Sequence, residues 1–296
     1  MLNLVKLNNN QYSIQIAYIG VKQEQPIIRG IFEFIIHKIN DRYFFSSTLI
    51  NNTKDWKILK HGNSIFHYKN EINTTKAIES DSISTYYTNL LNKNKIINEY
   101  YSVNNSLELQ KLIGINYKSE FNGTKGLALS SIDSHHKLNI LGYNNSNYEK
   151  FDPHDVFHEI LSNYIPRNKV YKPIDEGCAY LHGGSWGLTW KEIFKEFYSQ
   201  ISNYNSINWV DIKENSQYFK TKEFNNSMDY IINALIVQEI ERKHGFNGVW
   251  ELLLIGPAEK GHHKYYSKMQ KLLDINKDEY NNYVRKLIKN EINKYK

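Results

Sequence analysis

Phe-Asp-Pro-His-Asp-Val-Phe-His-Glu at residues 151–159, followed by Ile-Asp-Glu-Gly-Cys-Ala at residues 174–179, decides the reading of this chain. At about 100° of rotation per helical residue, His154 and His158 fall about 40° apart on one face, one turn above the other. Two imidazoles so placed can share a metal ion. Asp152 can cap the free N–H groups of a helix whose first turn accommodates Pro153. The helix is therefore expected to start just ahead of His154 and to run to about residue 165, where Pro166 stops it. Phe157, Leu161 and Ile165 share the histidine side, and Val156, Ile160 and Tyr164 widen the apolar sector, which places the pair inside the fold at the rim of a core helix.

Zinc takes neutral imidazole nitrogens and carboxylate oxygens in four-coordinate sites, and a catalytic site keeps one position for water. Glu176 is the expected third ligand to Zn2+. Pro166 and Pro173 end the first helix, turn the chain and allow a second helix to start at Asp175 and Glu176, which returns a carboxylate to the first. Asp175 is the neighbouring candidate, pointing about 100° away from Glu176. Histidines four apart are by themselves more often surface or core residues than ligands, so the downstream Asp-Glu-Gly carries much of the argument.

These residues resemble those of the gluzincin zinc metallopeptidases, the peptidase MA-like group, with the aminopeptidase N-like enzymes as more distant relatives. His-Asp-Val-Phe-His at residues 154–158 looks like H-E-x-x-H, and Asp-Glu-Gly-Cys-Ala at residues 175–179 is similar to the N-E-G-x-A element that carries the third ligand. The resemblance covers about residues 80–296 and implies a thermolysin-like α+β domain with a mostly helical C-terminal half, hydrolysing peptide bonds by a metal-activated water. Ahead of the metal helix, residues 82–92 and 106–113 read as helices and residues 95–103 as a strand. Residues 126–130 and 137–143 read as two strands joined by a polar turn containing His135 and His136. By resemblance, Gly126, Leu127, Ala128 and Leu129 belong to the edge strand that holds an extended peptide substrate by main-chain pairing. Downstream, Ser227 can cap a helix over residues 228–244 that Gly245 closes. Tyr230 near its start is similar to the catalytic tyrosine that donates to the tetrahedral intermediate, although in a chain with 23 tyrosines packing at a helix end is the plainer role.

Asp155 departs from the pattern, which calls for glutamate. In zincins that carboxylate is the catalytic base that takes the water proton and delivers it to the leaving amine. Aspartate has the same chemistry on a shorter stem, and a retreat of about 1 Å can cost about a hundredfold in positioned catalysis. Glu159 lies farther around the helix from the histidines, so Asp155 is the preferred base. A weakened peptidase, an enzyme on a substrate that tolerates the retreat, and a catalytically inactive pseudopeptidase serving as a peptide-binding or scaffold protein are the three outcomes.

Residues 1–76 read as a separate β-rich domain ahead of the gluzincin-like domain at 77–296. Runs at 12–18, 30–39, 43–50, 56–59 and 64–68 are apolar, aromatic or β-branched, with turn residues between them, as in a small antiparallel sheet. The fold class expected for the whole is α+β. With 296 residues the chain is long enough for two such domains. Its net charge of +6 is spread without a compact Arg/Lys stripe, so no nucleic-acid partner is expected. No apolar run of about 18 residues suggests a transmembrane segment. Met1 leads within a few residues into polar Asn8, Asn9 and Asn10, unlike a signal peptide, which leaves the compartment open: secreted or periplasmic if a leader was removed, cytoplasmic otherwise. Cys178, the sole cysteine, fits a buried small residue better than a nucleophile. His182 reads as a histidine near free helix-end carbonyls, with a fourth ligand as the other reading.

Overall fold

Apolar, β-branched runs separated by short polar turns open the chain, and the turns set the pairing. Gln23 and Glu24, and again Asn40 and Asp41, all take left-handed φ values, the backbone that joins antiparallel strands through two residues. The computed structural model describes residues 1–201, 203–221 and 224–295. In it β1 (Asn3–Asn8), β2 (Gln11–Lys22), β3 (Gln25–Ile39) and β4 (Arg42–Ser46) form an antiparallel sheet in that order. Next come a short α1 (Leu49–Asn52), β5 (Lys57–His61), β6 (Ser64–Tyr68), α2 (Thr74–Leu90), β7 (Ile97–Val103) and α3 (Ser106–Leu112). β8 (Ile115–Lys118) returns to pair with β3, and β9 (Leu127–Asp133) and β10 (His136–Gly142) form a hairpin.

The second sheet has the order β5-β6-β7-β10-β9, with β6, β7 and β10 parallel and the two outer strands antiparallel to their neighbours. Side chains alternate across it: Tyr101, Val103 and Ile140 pack with Leu109 and Leu112 of α3, while Phe66 and Tyr100 face Ala77 of α2 and Tyr148. Two expectations change here. Residues 43–50 do not form one strand, because the chain leaves the sheet after Ser46 and Thr53 bonds back to Leu49 as α1 closes. The runs at 56–59 and 64–68 do not extend the N-terminal antiparallel sheet, because the helical crossover through α2 makes β6 and β7 a parallel pair.

The chain divides into two compact units, Met1–Asp81 with Ile96–Lys150 and Ser82–Lys95 with Phe151–Lys296. The boundary expected after residue 76 falls inside α2. Asn73 starts that helix by accepting the Lys76 N–H, well ahead of the apolar face legible from residue 82.

The second unit is nearly all helical: α4 (Pro153–Ser162), α5 (Lys172–Gly183), α6 (Trp190–Gln200), α7 (Trp209–Glu214), a hairpin of β11 (Tyr218–Thr221) and β12 (Phe224–Ser227), then α8 (Met228–Leu253), α9 (His263–Leu273) and α10 (Tyr280–Asn293). α8 breaks at Gly245, whose φ of 62° is open only to glycine at low cost. Phe157, Ile174, Cys178, Ile231, Leu235 and Val249 are buried in one core that places α8 behind α5. The fold is α+β. Among the described residues no helix is long and apolar enough to cross a membrane.

Candidate metal centre

Asp152 caps α4 as expected, its Oδ1 accepting the His154 N–H at 3.0 Å with Pro153 in the first turn. Its second oxygen accepts the Trp186 N–H at 3.1 Å, which ties the glycine turn after α5 to the start of α4. Two glycines let the helices meet at the site. A Cβ on Gly183 would lie 2.7 Å from the His154 nitrogen, and one on Gly177 would lie 2.8 Å from the backbone nitrogen of Ala234 on α8. Neither approach admits a side chain.

Within this frame His154 and His158 are buried, and each ring has one nitrogen engaged. His154 Nδ1 donates to the Gly184 carbonyl at 2.9 Å, an acceptor that fixes the proton on Nδ1. His158 Nδ1 donates to Asp175 Oδ1 at 2.7 Å. In the neutral rings both Nε2 atoms are thereby left as lone-pair donors, and they converge to 3.1 Å. Glu176 Oε2 completes the cluster at 3.3 Å from His154 Nε2 and 3.6 Å from His158 Nε2. A tetrahedral zinc with bonds near 2.05 Å separates its ligand atoms by about 3.3 Å, so the three donors already stand at its edge lengths. The residues fit the ion, and His154, His158 and Glu176 could hold it.

Electrostatics agree with the geometry. Burial works against charge on His158, but the carboxylates of Asp175 and Glu176 outweigh it and push the imidazole up to about 9. Burial likewise opposes the Glu176 carboxylate, yet the two imidazoles hold it well below the usual carboxylate range. A buried anion facing two imidazoles calls for positive charge between them, and a proton or a metal ion can supply it.

Asp175 is buried and serves as the acceptor that orients His158, a carboxylate–histidine arrangement that sets a ligand's tautomer. The rotation that turns it away from Glu176 brings it to Nδ1. Tyr230, at the start of α8, packs partly buried on the same core. Burial and then the Glu176 charge raise its phenol, and Lys172 beside it acts in the opposite sense. Tyr230 is thus near enough to Glu176 to feel its charge, and its ring contacts are with Tyr180 and Lys172. Asp155 is exposed in the first turn of α4 and makes no hydrogen bond among the described residues. His182 does not join the cluster: its Nε2 lies 3.2 Å from Glu241 on α8.

Leu127, Ala128 and Leu129 lie on β9, the outer strand of the second sheet, which pairs with β10 and leaves its other edge without a strand among the described residues; Gly126 immediately precedes it. These residues belong to the first unit and His154, His158 and Glu176 to the second. Sequence reasoning missed Arg167 and Lys172. Arg167 lies in the turn between the ligand helices, its Nη2 3.7 Å from both Asp175 Oδ2 and Glu176 Oε1. A basic residue between two prolines was the available signal.

Comparison with protein-family profiles, with curated proteins and with solved structures finds no match.

Proposed function

We propose that the protein is a gluzincin-type zinc peptidase, hydrolysing peptide bonds. The observation that carries this reading is the convergence of two Nδ1-anchored imidazoles and one carboxylate oxygen at separations of 3.1, 3.3 and 3.6 Å. When bound, zinc polarises the peptide carbonyl and makes water nucleophilic near neutral pH. His154, His158 and Glu176 would hold the ion. Asp155, one residue along α4 from the first ligand and open to solvent, takes the proton of the attacking water and passes it to the leaving amine. Tyr230 keeps its phenol proton because of burial and the Glu176 charge, and donates it to the developing oxyanion.

Metal analysis of protein purified without added zinc, followed by a peptide-library digest, tests the reading. Stoichiometric zinc is expected, with cleavage that disappears on chelation and on Glu176→Ala. Absence of zinc, with no rise in melting temperature when zinc is restored, overturns it. The shorter stem of Asp155 favours a second reading, a pseudopeptidase that binds peptides without cutting them. Zinc retained without cleavage selects that reading.

A further inference from the structure

Arg167 and Lys172 are both exposed, and both carry their charge near Glu176. Glu176 turns Oε2 toward the imidazoles and Oε1 toward the Arg167 guanidinium. The Arg167 contacts, at 3.7 Å to Glu176 and 3.7 Å to Asp175, are longer than the roughly 2.7–2.9 Å of a charge-assisted hydrogen bond. Among the described residues the guanidinium forms no hydrogen bond, so its planar set of donors is uncommitted. Lys172, in the first turn of α5, lies with Nζ 5.9 Å from the centre of the Tyr230 ring. Asp175 gives its Oδ1 to His158, and Glu176 gives its Oε2 to the two imidazoles or to a metal between them, so a bound metal ion would offset the charge of both carboxylates. A loaded site therefore presents a rim with excess positive charge, a fork and a point charge, beside the oxyanion donor.

We propose that this rim binds a carboxylate of the substrate, with Arg167 as the specificity-determining residue, so that the site selects peptides bearing an anion next to the bond at the metal. The inference rests on the zinc-site reading above. A planar guanidinium with free donors matches a carboxylate through two parallel hydrogen bonds, and Lys172 adds charge without that geometry. The carboxylate can be the peptide's C-terminus or an Asp or Glu side chain.

The test uses full-length, zinc-loaded Asp155→Asn protein, so that binding is read without turnover. Fluorescence anisotropy would compare dansyl-Gly-Gly-Phe with its C-terminal amide, and dansyl-Gly-Asp-Phe-amide with dansyl-Gly-Asn-Phe-amide. Zinc affinity would be measured in parallel by competition with a chromogenic chelator. Expected is at least about tenfold tighter binding of the acid in one pair, which identifies the source of the carboxylate, and its loss in Arg167→Gln at unchanged zinc affinity. Arg167→Lys should recover only part, because it restores charge but not the fork. Equal binding within both pairs, or a preference that survives Arg167→Gln, overturns this inference while leaving the zinc site standing. Failure of the parent protein to bind zinc overturns the metallopeptidase reading and this inference together.

Discussion

Asp175 Oδ1 accepts the His158 Nδ1 proton at 2.7 Å, and both side chains are buried. Adjacent carboxylates on one helix thereby divide their work: Glu176 faces the lone pairs, and Asp175 holds the ring that presents one of them. Asp175→Asn keeps the shape and removes the charge that orients the imidazole. Zinc affinity should fall by about tenfold to a hundredfold, the usual effect of removing such a partner, with the far-UV circular dichroism unchanged. Affinity within twofold of the parent would show that Asp175 is structural only.

The same contact sets a pH dependence in the metal-free protein. His158 is raised from 6.5 to about 9, so the folded state binds its proton more tightly than the unfolded state does. The associated stability is fully present below 6.5 and is lost as pH rises through about 9. Zinc competes for the same lone pair, so its affinity should rise with pH over that window, with protons released on binding. Denaturation midpoints of metal-free protein and calorimetric zinc titrations in buffers of differing ionisation heat check both. Zinc affinity flat over this window would contradict the His158 assignment.

Asp155→Glu lengthens the proposed base by one methylene at an exposed position of α4. Peptidase activity should rise by about tenfold to a thousandfold, the range expected for repositioned acid–base catalysis. Asp155→Asn should abolish turnover while zinc content stays stoichiometric. A glutamate variant that holds zinc yet remains inert would favour the pseudopeptidase.

Gly177→Ala should lower stability by about 1–3 kcal/mol, because its Cβ would lie 2.8 Å from the α8 backbone, which cannot step aside as a flexible side chain could. His182→Ala should leave zinc affinity unchanged, since that ring faces Glu241 instead of the cluster. Urea denaturation reads the first and chelator competition the second.

Helical periodicity suffices to put His154 and His158 on one face, and Asp152 with Pro153 is a local signal for where that face begins; both depend only on neighbours within a turn. The break at Gly245 and the strands of the first hairpins are local in the same sense. What lies across the chain is different. Whether Glu176 or Asp175 meets the two Nε2 atoms depends on how α5 rolls, and Gly177 against α8 and Gly183 against α4 are the close contacts that constrain it. Arg167 at Glu176, His182 at Glu241 and the transfer of β5 and β6 to the mixed sheet likewise depend on packing between distant segments. Local sequence specifies dihedral preference and which face is apolar, but the partner of that face is chosen by the packing of the whole core, which no short window contains.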